Sequence, residues 1–105
     1  MKLNELLIGQ IENALNVKLT GDQKGYLLTN EVYCWSGGRS SGKTFAHCIK
    51  LALSEGEPLD MSNPEKFSDY GDGTRRYARD YYRRMFMYIW YQLHDYGFPV
   101  REVKK

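Results

Sequence analysis

The segment from Thr74 to Tyr96, TRRYARDYYRRMFMYIWYQLHDY, constrains this chain more than any other. It keeps a helical period from end to end and is closed by Gly97, with Pro99 just beyond. Thr74 is the expected cap. On a helical wheel Ala78, Tyr81, Tyr82, Met85, Ile89, Leu93 and Tyr96 share one broad face, the expected core side. A chain of 105 residues, 42% hydrophobic and 27% charged, is expected to form one globular domain over residues 1–105. Everything else must therefore pack around this one long helix.

Three shorter helical segments precede it. Leu3, Leu6, Leu7, Gln10, Ile11, Ala14 and Leu15 recur at helical spacing. Thr20 with Gln23 three residues on forms a capping-box pattern, which predicts a helix from Gly21 to about Leu28. A third helix is expected from Lys43 to Ser54, with Phe45, Cys48, Ile49 and Ala52 inward. Only EVYCW, residues 31–35, reads as a buried strand, being aromatic and β-branched between turn formers. Residues 55–73 are rich in Gly, Pro, Ser and Asp and predict a long loop, open to motion, with one short turn after Asn63-Pro64. The tail, residues 101–105, reads as an edge strand or a frayed end. The fold class expected is α/β and mostly helical: one central strand, or a small sheet, leads into a glycine turn packed among three to four helices.

That turn is the chemical signal of the sequence. Gly37 to Thr44, GGRSSGKT, fit G-x-x-x-x-G-K-[ST], the phosphate-binding loop. Glycines let successive backbone N–H groups point at phosphate oxygens, and the helix that follows adds its positive end. Gly37, Gly38, Arg39, Ser40, Ser41 and Gly42 would form the cradle. Lys43 would reach the terminal phosphates, and the Thr44 hydroxyl would ligate Mg²⁺ brought with ATP or GTP. An ordinary capping loop between a strand and a helix is the alternative.

SGGRSSGKT resembles the Walker A segment of P-loop NTPases, most of all the GGR-x-SGK-[ST] form of phage terminase large subunits. LTGDQKGYLL, residues 19–28, is similar to the segment of those ATPases that carries a glutamine near the adenine. The resemblance spans Leu19 to Leu53. It implies phosphate contacts for Lys43, Mg²⁺ ligation by Thr44, the backbone turn at Gly37 and Gly42, and a base contact for Gln23. The family also needs a second buried strand ending in Asp or Glu. The segment Met87–Asp95, MYIWYQLHD, has that ending but fits a helix better, and room for further βα units is lacking. The expectation is a phosphate-binding protein without catalytic residues of its own, rather than an independent NTPase.

Five of the seven arginines lie between Arg75 and Arg84. On the helical wheel Arg76, Arg79, Arg83, Trp90 and His94 cluster opposite the core face, with Met87 nearby. Such a stripe can track a nucleic-acid backbone or grip an acidic protein surface. An ordinary solvated face explains the arginines but not Trp90 and Met87, so burial by the domain, by a second copy or by a partner is expected there. His47 reads as a structural histidine. His94 and Asp95 are expected to point apart, and SDYGDG reads as a turn rather than a metal loop.

Cys34 and Cys48 are expected as buried free thiols. The net charge of +2 selects no partner. No apolar stretch approaches the roughly 20 residues of a membrane span, so no membrane is expected and a cytoplasmic location is, in a bacterial host if the chain is of phage type. Two functions remain open. One is a small phage or mobile-element protein that binds a nucleotide or nucleic-acid phosphate through the glycine loop, with the arginine helix adding grip. The alternative is a protein–protein inhibitor of a host defence nuclease, of the anti-CRISPR kind, using the Arg/Trp face and keeping the loop as scaffold. Beside these stands a third reading, a subunit that completes a composite ATPase by supplying Lys43 in trans; a homo-oligomer is compatible with each.

Overall fold

Local capping starts each of the first two helices. In the computed structural model, which describes residues 3–29, 33, 42–68 and 75–104, α1 spans Glu5–Leu15. Its Asn4 side chain accepts from the Leu7 amide at 2.9 Å, and it stops at Asn16 in the left-handed conformation. Helix α2, Gly21–Leu28, has the capping box its sequence predicts. The Gln23 amide donates to Thr20 Oγ1 at 3.2 Å, and the Thr20 amide donates back to Gln23 Oε1 at 2.9 Å. Helix α3, Lys43–Ala52, begins at Gly42 without any side-chain cap.

The long helix is one continuous run of three pieces: α4 (Arg75–Tyr77), a π-helical stretch (Ala78–Tyr82) and α5 (Arg83–Tyr96). Gly97, at φ 106°, closes it as its sequence predicts. Its core file is Tyr82, Phe86, Ile89 and Leu93, spaced four, three and four and each fully buried, and α5 packs on α1 and α3. This file is narrower than the face expected from sequence. Tyr81 is 52% and Tyr96 50% exposed, whereas Phe86 is in the core. The neighbours α1 and α3 cover only one stripe of a helix that has polar residues elsewhere.

Helix α1 docks through Ile8, Ile11 and Leu15. Leu6, two residues and roughly 200° round from Ile8, is 74% exposed instead of inward, and Gln10 is exposed as well. Helix α2 packs on α3. Along α3, Cys48, Ile49 and Ala52 are buried as expected, and Phe45 packs against the core from a half-buried position.

Residues 55–68 are more structured than a long loop. Leu59–Asp60 form strand β1, and Pro64–Lys66 a 3₁₀ turn begun by Asn63-Pro64. The tail supplies β2, Val103–Lys104, which pairs parallel with β1 in the register Leu59 to Val103 and Asp60 to Lys104. A parallel pair needs a crossover, and the long helix provides it. Arg101 anchors the tail. Its amide donates to the Ala52 carbonyl at 2.7 Å, and its guanidinium to the Glu57 carbonyl at 2.8 Å and Ser54 Oγ at 3.1 Å. The described residues are thus mostly helical, with a small two-stranded parallel sheet. The strand expected at residues 31–35 lies outside the described residues except for Tyr33. No helix among the described residues is long and apolar enough to cross a membrane.

Candidate functional site

The α3 N-terminus is where the described structure meets the glycine loop. Gly42 lies at φ 80°, ψ 22°, the left-handed region that a residue with a Cβ enters only under strain. Its carbonyl accepts the Ala46 amide at 3.1 Å, the first bond of the helix, and the Gln23 side-chain Nε2 at 3.1 Å. Gln23 is 7% exposed. A Cβ on Gly42 would stand 2.2 Å from Gln23 Nε2, so any larger residue here would displace the Gln23 amide as well as strain the backbone. The residue that opens α3 is a glycine, so the helix has no side-chain cap from that position, and its leading amides lie at the end that meets the loop. Lys43 is exposed at this end, with Thr44 half-buried beside it.

Behind this end, α3 is fastened to the long helix by polar pairs. Thr44 Oγ1 lies 3.2 Å from the Tyr77 hydroxyl, and one turn on His47 Nδ1 lies 2.6 Å from the Tyr82 hydroxyl. Tyr77 and Tyr82 are five residues apart. On an α-helix they would diverge; the i→i+5 geometry of the π stretch brings both onto the α3 side. Their rings sit 6.5 Å apart, and Tyr82 stacks on Phe86 at 6.3 Å with a 12° interplanar angle. Tyr82 is fully buried, so the bond to His47 satisfies a hydroxyl that water cannot reach.

A second fastening holds α2. Tyr33 lays its ring over Gly25, where a Cβ would stand 2.6 Å from Tyr33 Cε1, and its hydroxyl donates to Asp22 Oδ1 at 2.9 Å. Lys50 on α3 donates to the Tyr26 and Thr29 carbonyls at 3.0 and 2.8 Å, satisfying the C-terminal end of α2. Its Nζ also sits 4.5 Å from the centre of the Tyr26 ring. Burial lowers the Lys50 pKa from its ordinary value.

Of the residues the sequence singles out at the loop, the structure brings together Gln23, Gly42, Lys43 and Thr44. Gly37, Gly38, Arg39, Ser40 and Ser41 lie outside the described residues, as do Cys34 and Thr74. Gln23 is next to the loop but commits both ends of its amide to backbone, Oε1 to Thr20 and Nε2 to Gly42. Its position ties the α2 start to the α3 start; a base contact would have to share that amide. The pairings made by Tyr77, Tyr82, Asp22 and Tyr33 carry no signal in sequence, because each partner lies at least 11 residues away.

The arginine stripe is split. The π stretch has more residues per turn than the α-helix, so it rotates everything N-terminal to it relative to the wheel drawn for a pure α-helix. Arg76 is turned to solvent, its side chain 96% exposed, with Asp80 3.8 Å away in an i, i+4 pair. Arg79 is half-buried and Arg83 exposed. Trp90 is engaged by the fold itself: its indole Nε1 donates to the Arg101 carbonyl at 2.7 Å. Its ring stacks on His94 at 5.2 Å and 8°. The tail is thus the cover that Trp90 demands. His94 and Asp95 do not point apart; Nδ1 and Oδ1 are 3.5 Å from each other, both side chains exposed. Met87–Asp95 lies within α5. Cys48 is buried and forms no disulfide among the described residues.

Comparison with protein-family models, with characterised proteins and with solved structures finds no match to this chain.

Proposed function

We propose that the chain is a small phosphate-binding protein of phage or mobile-element type, with the loop Gly37–Thr44 as its site. The reading is supported most by Gly42: a left-handed glycine that opens α3, held from behind by Gln23 and followed at once by exposed Lys43. A phosphate of a nucleotide or a nucleic-acid backbone would accept from the leading amides of α3, where the helix end favours an anion. Lys43 adds a mobile positive charge. Gln23 and the Thr44–Tyr77 pair hold the α3 start in place, so little has to be ordered when the anion arrives. Magnesium would come with the phosphates of a nucleotide. Thr44 offers it one neutral hydroxyl, which already shares a hydrogen bond with Tyr77, and no step is assigned to the metal.

The inhibitor reading has less to stand on, because Trp90, the strongest anchor of the Arg/Trp face, is docked on the chain's own tail.

Thermal unfolding with Mg-ATP, Mg-GTP or inorganic phosphate, for the wild type and Lys43→Ala, tests the proposal. A ligand at about 100 times its dissociation constant adds about 2.7 kcal/mol of stability. The upward shift should vanish in Lys43→Ala, whose unliganded melt should match the wild type because Lys43 is exposed. No shift with any of the three would refute the phosphate site.

A further inference from the structure

The face of α5 turned away from the core carries Arg84, Tyr88, Tyr91 and Asp95, spaced four, three and four. Residues at this spacing form one stripe along a helix. Tyr88 is 56% and Tyr91 40% exposed, and Arg84 and Asp95 are exposed as well. Among the described residues Arg84 makes no ion pair and Asp95 has only the 3.5 Å contact with its exposed neighbour His94. The order Arg, Tyr, Tyr, Asp is self-complementary about its midpoint between Tyr88 and Tyr91. Turned end over end on a two-fold axis, the stripe meets its own copy with Arg84 opposite Asp95 and Tyr88 opposite Tyr91.

We infer that this stripe is a homodimer interface in which two copies of α5 pack antiparallel. A two-fold interface uses the same patch twice, so each contact is made twice. Two Tyr88–Tyr91 pairs supply apolar area at the centre, where phenol rings bury well and keep their hydroxyls at the wet edge. Two Arg84–Asp95 pairs at the ends fix register and direction rather than strength, as exposed ion pairs do. A parallel arrangement would set Arg84 against Arg84 and Asp95 against Asp95. The antiparallel one also keeps the two arginine-rich segments, residues 75–84, at opposite ends of the dimer. The stripe is about 16 Å long at 1.5 Å per residue, a small interface, so association should be weak and concentration-dependent. It does not involve the glycine loop.

The test is sedimentation equilibrium on the full chain over a range of concentrations. The wild type and Lys43→Ala should dimerise alike. Arg84→Glu alone and Asp95→Arg alone each create two like-charge contacts and should weaken dimerisation by about tenfold or more. Mixing the two single variants should restore it as a heterodimer. The acidic replacement at position 84 of one copy then faces the basic replacement at position 95 of the other, and the unchanged Arg84 and Asp95 face each other. For the same reason the double variant should dimerise by itself. Both positions are exposed, so the fold should survive; if a single variant melts early, Tyr88→Ala takes its place and should also leave a monomer. A wild type that stays monomeric overturns the inference and leaves the stripe to another partner. So does a dimer indifferent to Arg84→Glu, or a mixture that fails to recover.

Discussion

Gly42→Ala separates what the glycine does for the fold from what it would do for a ligand. The left-handed conformation at φ 80° disfavours any Cβ, by about 1–2 kcal/mol. The added methyl would also stand 2.2 Å from Gln23 Nε2. That atom ends a flexible side chain, so the amide moves rather than the backbone and gives up its bond to the Gly42 carbonyl, a loss of about 1 kcal/mol. The sum is about 2–3 kcal/mol. At about 4–8 °C per kcal/mol for a domain of this size, the melting temperature should fall by about 10–20 °C. Thermal and urea melts of Gly42→Ala in the wild-type and Gln23→Ala backgrounds measure the two contributions apart. Without the Gln23 side chain the substitution should lose only the conformational part, so the two backgrounds should differ by about 1 kcal/mol. An equal loss in both would refute the idea that Gln23 buttresses the loop.

Trp90→Phe keeps the ring but strips the indole donor from the Arg101 carbonyl; it should lose about 1–2 kcal/mol. Hydrogen exchange should speed up at the Leu59 and Met61 amides, which the tail holds, and unchanged exchange there would count against the docking role. Asp60 is held below its usual pKa of 3.8 first by the Ser62 hydroxyl, then by the Ser62 amide and the Asn63 side chain. A carboxyl with a lowered folded-state pKa stabilises the fold above the unfolded value and loses that contribution as pH falls through the folded one. Asp60→Asn should therefore flatten the acid limb of stability against pH, read by denaturant melts at successive pH values; an unaltered limb would remove Asp60 from the account.

Much of the helical skeleton is legible in the chain because its signals are local. Thr20 and Gln23 form their box within four residues, Gly97 ends α5 by its own conformational freedom, and Asn63-Pro64 starts a turn where it stands. The burial of Cys48, Ile49 and Ala52 likewise follows from period alone. At the candidate site, Gly42, Lys43 and Thr44 are marked by their spacing, and the nearness of Gln23 comes from resemblance.

Tertiary structure decided the rest, since the deciding partners are far apart along the chain. Wheel reasoning assumes one period, whereas the π stretch at Ala78–Tyr82 changes it and splits the arginines. The Thr44–Tyr77 and His47–Tyr82 bonds, each across more than 30 residues, accompany that change of period. The apolar character of Trp90 shows that something must cover it; that Arg101 does so depends on β2 returning to pair with β1. A sequence fixes the demand of each side chain for burial, a donor or a particular φ. Which distant group meets that demand is settled only when the helices pack.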